Sequence, residues 1–219
     1  MAAPIQLAPI YPPLGVNPAY CVPKQTTLVM KEKVFSLAGD TFHIVDENGV
    51  EVLQCRGQVF SISDRKEFTD TSGRPLFSLR SKLLSLRRSF YAEAPNGSVL
   101  FEVKGKFTFG GAKMIATFNN ASNSAPIELV VKGNWFDRSA TIMMGDILVA
   151  QISRQFLNMR QILGGAQTYY VTVAPGADLA MIAAICVCLD EKRKRQVIGI
   201  SRTSKHRILE YTLRRPLVF

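Results

Sequence analysis

An apolar helix near the C-terminal end constrains this chain more than any other feature. Residues 177–190 read ADLAMIAAICVCLD, with Asp178 suited to cap the helix and the basic run 192–195 suited to follow its C-terminus. The uninterrupted apolar run, residues 179–189, is 11 residues long, whereas a membrane-spanning helix needs roughly 20. Because the helix is apolar on every side, we expect it to be buried inside protein.

The chain before this helix has the rhythm of β-hairpins. Short β-rich runs are separated by turn sequences such as DENG at 46–49 and PNG at 95–97. Apolar and polar residues alternate with a period of two in residues 99–104, 127–132 and 168–173. This pattern predicts antiparallel strands with one buried face and one mostly polar face.

An all-β chain that ends in one buried helix favours a closed β-barrel with the helix inside it. A helix is about 10 Å across, so it fills a lumen that strand side chains alone would leave open. Six of the 11 prolines lie in the first 23 residues, where proline favours extended chain. The predicted organisation is a Pro-rich N-terminal arm outside the core (1–23), a barrel domain (24–195) with its central helix at about 178–194, and a basic C-terminal tail (196–219).

The net charge of +10 is concentrated in two segments of the chain. Residues 74–113 contain eight basic and two acidic side chains, and residues 191–219 contain nine and two. Segregated positive charge indicates an anionic partner, such as a phospholipid head group or nucleic acid. The start of the chain does not resemble a secretory signal, and four scattered cysteines suit a reducing compartment. We therefore expect a cytoplasmic protein.

The first basic segment provides six candidate residues for binding an anionic lipid. They are Arg80, Lys82, Arg87, Arg88, Lys104 and Lys106. Arg80 and Lys82 are two residues apart, so they emerge on the same face of one strand. Arginine can hold two phosphate oxygens at once, and lysine acts as a point charge. A solvated strand face that prevents edge-to-edge aggregation explains the same charges, so both interpretations stay open.

The second basic segment opens with a run of four cations. They are Lys192, Arg193, Lys194 and Arg195. Such a run can direct nuclear import, contact an anionic membrane or simply form a charged helix terminus. An alternative hypothesis is therefore a nuclear interaction protein, which uses this run for import and a basic surface for a transcriptional partner or nucleic acid. Sequence-specific nucleic-acid binding is not expected, because the sequence contains no recognised reader motif.

Enzyme signatures are missing from the sequence, which predicts a non-enzymatic protein with no catalytic residue, metal or cofactor. The two histidines, His43 and His206, have no Ser/His/Asp or Cys/His context. Cys186 and Cys188 are two residues apart on the helix, so they point about 200° apart and cannot hold one metal ion together. An enzyme that uses the barrel as a scaffold is a third hypothesis, and it lacks a catalytic constellation.

Several motifs in fixed order resemble the LURP-one-related family. They are YCVP at 20–23, FHIVDENG at 42–49, the stretch from FTD at 68–70 to LR at 79–80, VKGNWFDRS at 131–139, VAQI at 149–152 and YVTVAP at 170–175 leading into the helix. That family shares the fold of the tubby C-terminal domain, with a distant similarity to phospholipid scramblases. The resemblance thus implies a twelve-stranded antiparallel barrel around a central hydrophobic helix.

The resemblance also implies lipid binding, by analogy of fold. Tubby domains bind phosphatidylinositol bisphosphate through basic residues on the first half of the barrel, where Arg80, Lys82, Arg87 and Arg88 also lie. Scramblase activity is not expected, since residues 174–178 contain one carboxylate, too few oxygen ligands for calcium. Some members of the family are linked to defence. We therefore expect a module that recognises phosphoinositide or other anionic phospholipid head groups at the cytoplasmic membrane surface, in signalling or defence.

Overall fold

A computed structural model describes residues 5–33, 41–57, 65–82, 89–108, 111–134, 139–153 and 168–191. The described residues form twelve β-strands, a short 3-10 helix (Pro18–Tyr20) and helix α1 (179–191). The strands are β1 (Thr26–Lys33), β2 (Thr41–Val45), β3 (Glu51–Gly57), β4 (Lys66–Thr69), β5 (Pro75–Ser81), β6 (Ser89–Glu93), β7 (Val99–Thr108), β8 (Gly111–Asn119), β9 (Pro126–Asn134), β10 (Ser139–Met144), β11 (Ile147–Ser153) and β12 (Thr168–Val173).

The twelve strands form one closed antiparallel barrel. Each strand pairs with its neighbours in sequence, and β1 closes the barrel by pairing with β12. Closure gives every strand a partner on both sides, so the sheet has no edge at which another chain could add. The predicted fold class, a mainly β closed barrel with a helix near the C-terminus, is confirmed.

Helix α1 lies inside this barrel. Residues 179–190 are all buried, and the apolar residues 179–189 belong to the same core cluster as Phe42, Phe68 and Phe101 of the strands. The helix is rich in small side chains, including Ala183 and Ala184, both fully buried. Small residues keep the helix narrow, so large strand side chains fill the remaining lumen. The expected burial on all sides of the helix is confirmed.

The predicted alternation of buried and polar faces holds in β9 and fails in β12. In β12, Tyr170 and Thr172 point to the outer face, yet they are only 7% and 8% exposed. The strand register places them opposite Val29 and Thr27 of β1. The hydroxyl oxygens of Thr27 and Thr172 are 3.3 Å apart, within hydrogen-bonding distance. The sequence pattern alone did not show that this part of the outer face is buried.

The N-terminal arm, described from residue 5, packs into one end of the barrel, so the prediction that it lies outside the core is wrong. Leu7, Ile10 and Leu14 belong to the core cluster, with exposed fractions of 5%, 8% and 1%. The Ile10 N–H donates to the Pro175 carbonyl, and the Leu14 N–H donates to the Gly176 carbonyl, both at 2.8 Å. Proline favours an extended arm with few backbone donors, which suits a chain that lies across a barrel end.

Candidate functional site

The two ends of the barrel differ in the contacts that the helix makes there. At the arm end, the N-terminal arm meets the start of helix α1, and the Leu14 carbonyl accepts a hydrogen bond from the Asp178 N–H. At the far end, the last described helix residue, Glu191, forms a 3.2 Å ion pair with Lys66 at the start of β4. Because the strands are antiparallel, β5, β7 and β9 all run from the arm end towards the far end.

Asp178 joins the arm to helix α1. Its Oδ1 accepts hydrogen bonds from the N–H groups of Ala180 and Met181, at 2.9 and 3.0 Å, which confirms the predicted N-cap. Its Oδ2 accepts from the N–H groups of Val16 and Asn17, at 3.1 and 2.8 Å. One fully buried carboxylate therefore satisfies four backbone donors from two separate segments.

Gly15 allows the arm to approach Asp178 this closely. A side chain at Gly15 would overlap the Asp178 side chain. The Gly15 N–H also donates to Asn120 Oδ1 at 2.9 Å, and the Gly15 carbonyl accepts from the Ala121 N–H at 2.9 Å. The arm is thus fixed both to the helix and to the loop between β8 and β9.

A pH dependence of stability follows from the burial of Asp178. Burial raises the pKa of Asp178 to about 6, although the hydrogen bonds from the backbone N–H groups act to lower it. The ordinary aspartate pKa is about 3.9, so between about pH 4 and 6 the folded state holds a proton that the unfolded state has lost. The free energy of unfolding should therefore fall as the pH rises from about 4 to 6, and level off above, by on the order of 2 to 3 kcal/mol.

Urea unfolding between pH 4 and 7 measures this dependence, with Asp178→Asn as the non-titrating control. The difference in unfolding free energy between wild type and variant isolates Asp178 from the other carboxyl groups. Asp70 acts in a different pH range, because hydrogen bonds from Ser72 hold its pKa at about 2, and the stability it contributes is lost only below about pH 4. A difference that does not change between pH 4 and 7 would show that Asp178 does not titrate in this range.

Arg80 and Lys82 lie on the outer face at the end of β5, as the sequence predicts, and each has a carboxylate partner. Arg80 Nη2 lies 3.2 Å from Glu93 Oε1 on β6. Lys82 Nζ lies 2.6 Å from Glu102 Oε1 on β7. The two cations are therefore partly neutralised within the barrel face itself.

Glu102 stands between two lysines, and we call Lys82, Glu102 and Lys104 the Glu102 cluster. Lys104 Nζ lies 2.6 Å from Glu102 Oε2, so both carboxylate oxygens are engaged. Hydrogen bonds from Lys104 and Lys82 lower the pKa of Glu102, which keeps it ionised at neutral pH. Lys82 Nζ also lies 5.6 Å from the centre of the Tyr91 ring, within cation–π range. The lysine side chains are 43% and 55% exposed.

Lys106 belongs to a different group, which the sequence reasoning did not assemble. Lys106 on β7 is directly opposite Lys113 on β8, and Lys113 is directly opposite Lys132 on β9. We call these three residues the lysine row. Lys106 and Lys132 are exposed and Lys113 is half-buried. Alternation along β8 and β9 would have indicated that Lys113 and Lys132 face outwards, but only the strand register brings them together.

Two sets of predicted residues lie outside the described residues, and their roles stay predictions. Arg87 and Arg88 belong to the connection between β5 and β6, and the run Lys192–Arg195 follows helix α1. The Lys82 N–H donates to the Ser89 carbonyl at 2.9 Å. The connection that contains Arg87 and Arg88 therefore starts and ends beside the Glu102 cluster.

The described residues contain no group of three or more His, Cys, Asp or Glu side chains that could hold a metal ion. Cys186 and Cys188 are fully buried in the barrel, and burial raises the pKa of both thiols well above the ordinary value. A thiol that stays protonated is a poor nucleophile and a poor metal ligand. In the part of the chain that the structure describes, no helix has the length and apolar character needed to cross a bilayer.

Sequence comparison relates this barrel to known proteins. The profile of the LURP-one-related family matches residues 26–190. The chain is 28% identical over 183 residues to protein LURP-one-related 15 of Arabidopsis thaliana, covering 80% of this chain and 84% of that protein. It is also 28% identical over 163 residues to the uncharacterized protein YxjI of Bacillus subtilis (strain 168), covering 74% of this chain and 91% of that protein.

A comparison with solved structures agrees with the comparison of sequences. An X-ray structure of a protein from Arabidopsis thaliana superimposes with a TM-score of 0.59 at 26% identity, covering 82% of this chain and 98% of that chain. The observed barrel is consistent with the tubby-like fold that the resemblance implies, whereas the similarity to scramblases stays a prediction. Because the family match extends from β1 to the end of the buried helix, the chain belongs to the LURP-one-related family.

Proposed function

We propose that this protein is a non-enzymatic module that binds anionic phospholipid head groups, in particular those of phosphoinositides, at the cytoplasmic surface of a membrane. The observation that carries the proposal is the Glu102 cluster, in which two exposed lysines share one carboxylate. One carboxylate cannot neutralise two ammonium groups. The cluster therefore keeps a net positive charge and can accept a second anion.

The surroundings of the cluster favour a phosphate-bearing ligand. Arg80 lies on the adjacent strand with its own carboxylate partner, Glu93, and the connection containing Arg87 and Arg88 begins beside Lys82. Lysine binds phosphate as a point charge and arginine binds it with two parallel donors, so the two residue types complement each other at a head group. The segment from residue 74 to residue 113, which contains the cluster, carries eight basic and two acidic side chains.

Membrane attachment of this kind is electrostatic and reversible. Each basic residue near an anionic surface contributes about 1 kcal/mol, which falls off within a Debye length. The C-terminal segment, residues 191–219, carries nine basic and two acidic side chains and would add to this attraction. Binding should therefore weaken as the salt concentration rises.

Replacing Glu102 with Gln is expected to strengthen binding to phosphoinositide vesicles. Glu102 competes with a phosphate for the two lysines, and its removal frees both ammonium groups. At about 1 kcal/mol per charge near the surface, the gain is about fivefold in affinity. Co-sedimentation of the full chain with phosphatidylcholine vesicles, with and without phosphatidylinositol bisphosphate, measures the change.

Glu128→Gln is the matched control for this experiment. Glu128 lies in the same cross-strand row as Glu102, two strands away, and is exposed. An equal gain in both variants would show that net charge, not the Glu102 cluster, sets the affinity. The double variant Lys82→Ala/Lys104→Ala should bind roughly 30-fold more weakly than wild type. A wild-type protein that ignores phosphoinositide vesicles at low salt would refute the proposal.

The contribution of the C-terminal basic segment, residues 191–219, is tested separately, in the full chain. Replacing its first four cations, with Lys192→Gln, Arg193→Gln, Lys194→Gln and Arg195→Gln together, removes four positive charges that do not belong to the Glu102 cluster. If only this variant loses vesicle binding, the C-terminal basic segment and not the barrel face is the membrane contact.

A further inference from the structure

The outer face of β7, β8 and β9 sorts its charges into separate rows. Three successive rows of directly opposed residues cross these strands. They are Glu102, Thr117 and Glu128; then Lys104, Ile115 and Val130; then Lys106, Lys113 and Lys132. An acidic row therefore lies towards the arm end, a largely apolar row follows it, and the lysine row lies towards the far end.

Without a bound anion, repulsion within the lysine row lowers the stability of the fold. Directly opposed side chains in an antiparallel pair have Cβ atoms about 4.5 to 5.5 Å apart, and like charges at this spacing destabilise the sheet. Within the described parts of the chain, no carboxylate forms an ion pair with Lys106, Lys113 or Lys132. By contrast, Arg80, Lys82 and Lys104, which also lie on the outer face of the barrel, do have such partners.

The acidic residues that the structure describes on these strands do not neutralise the row. Glu102 and Glu128 lie four residues before Lys106 and Lys132 on their strands, which corresponds to about 13 Å along a strand. Glu102 is also engaged by Lys82 and Lys104. Towards β10, the next residue across from Lys132 is the neutral Thr141.

We propose that the lysine row is a binding site for adjacent phosphate groups of a compact polyphosphate, such as a phosphorylated inositol ring, presented as a lipid head group or as a free molecule. Three ammonium groups on three strands span about 10 Å, because neighbouring strands are about 4.8 Å apart. An extended polyanion lying along the strands would meet Glu102 and Glu128, so a compact ligand fits best. The inference deepens the proposed function, on which its lipid form rests, by adding a second contact surface on the same barrel.

Charge reversal at the centre of the row separates binding from stability. Lys113→Glu would alternate the charges as Lys, Glu, Lys, so it should raise the melting temperature and weaken anion binding. With inositol hexakisphosphate as the soluble probe, isothermal titration calorimetry of the full chain should show at least about 100-fold weaker binding. One lysine contact is lost, and the new carboxylate repels the probe and competes with it for the other two lysines. Lys24→Glu is the matched control, since Lys24 is an exposed lysine at the arm end.

Two neutralising variants test the site even if Lys113→Glu misfolds. Lys106→Gln and Lys132→Gln should each weaken binding of the probe by about tenfold, the value of one charged hydrogen bond. Equal weakening by Lys24→Glu and Lys113→Glu, or no binding of the probe to wild type, would overturn the inference. A single-stranded DNA oligomer that binds more tightly than the probe and depends equally on Lys113 would also overturn it, because the ligand would then be an extended polyanion.

Vesicles distinguish the two sources of the phosphate groups. If Lys113→Glu no longer binds either the soluble probe or vesicles containing phosphatidylinositol bisphosphate, the lipid head group is the ligand of the row. If Lys113→Glu still binds the vesicles and fails to bind only the soluble probe, the row binds a free polyphosphate. The proposed function fails on a different result, namely wild-type protein that does not bind these vesicles, so the two failures are distinguishable.

Discussion

Ala184→Arg is expected to unfold the barrel. Ala184 is fully buried at the middle of helix α1, about 9 Å along the helix axis from either Asp178 or Asp190. A guanidinium group there has no described carboxylate partner and cannot easily reach water, and burying such a charge costs several kcal/mol. Its volume adds an overpacking cost of about 1 to 3 kcal/mol. Since domains are typically stable by only about 5 to 15 kcal/mol, most of the protein should be unfolded.

Circular dichroism and thermal unfolding of the purified variant would show this loss of cooperative structure. Thr117→Arg is the control, because Thr117 is exposed on the outer face between Glu102 and Glu128. An arginine at this position meets water and two carboxylates, so the control should melt close to wild type. An Ala184→Arg protein that keeps the wild-type melting temperature would refute the burial of the helix inside the barrel.

Asp178→Ala is expected to release the N-terminal arm and destabilise the whole barrel. The substitution removes the acceptor for four backbone N–H groups, two in the arm and two in the first turn of helix α1. Loss of the helix cap costs about 1 kcal/mol, and each donor left buried and unsatisfied costs about 1 to 3 kcal/mol. We expect a total loss of about 3 to 5 kcal/mol, because some donors will find water.

Two measurements distinguish release of the arm from loss of the cap alone. Hydrogen exchange at the Val16 and Asn17 amides should accelerate strongly in Asp178→Ala, since these amides lose their acceptor. The free energy of unfolding of Asp178→Asn should lie between those of wild type and Asp178→Ala. The side-chain carbonyl oxygen of asparagine can still cap the helix, whereas its NH2 group faces two backbone donors. A loss of less than about 1 kcal/mol with unchanged exchange at Val16 would mean that the arm is held by its apolar contacts, not by Asp178.

The central helix and the alternation of the strands could be predicted because both are local properties of the sequence. An all-apolar helical segment such as residues 179–189 has no surface it can expose to water, so its burial follows from composition. The cap at Asp178 was predictable for the same reason, since an N-cap depends on backbone groups two or three residues away. The helix, its cap and the alternation in β9 are confirmed, whereas the alternation fails in β12. The closed barrel follows from combining the helix with the antiparallel strands.

The arrangement of the candidate site could be predicted only in part. The outward direction of Arg80 and Lys82 is a property of one strand and is confirmed, whereas their partners Glu93 and Glu102 come from other strands. The proline-rich arm was predicted to lie outside the core because proline removes backbone donors and favours extended chain. Its burial depends on the open barrel end and on the Asp178 carboxylate, which is more than 160 residues away along the chain.

The sequence by itself determined which side chains face the barrel interior and which face outwards, because the period of two along a strand is set by backbone geometry. Only the tertiary structure decided which outward residues stand side by side, because the register between strands depends on how twelve strands close around one helix. That register gives Glu102 two lysines and leaves Lys106, Lys113 and Lys132 adjacent without a described carboxylate partner. The charge of a segment can therefore be counted along the chain, but whether a cation is neutralised depends on contacts across strands.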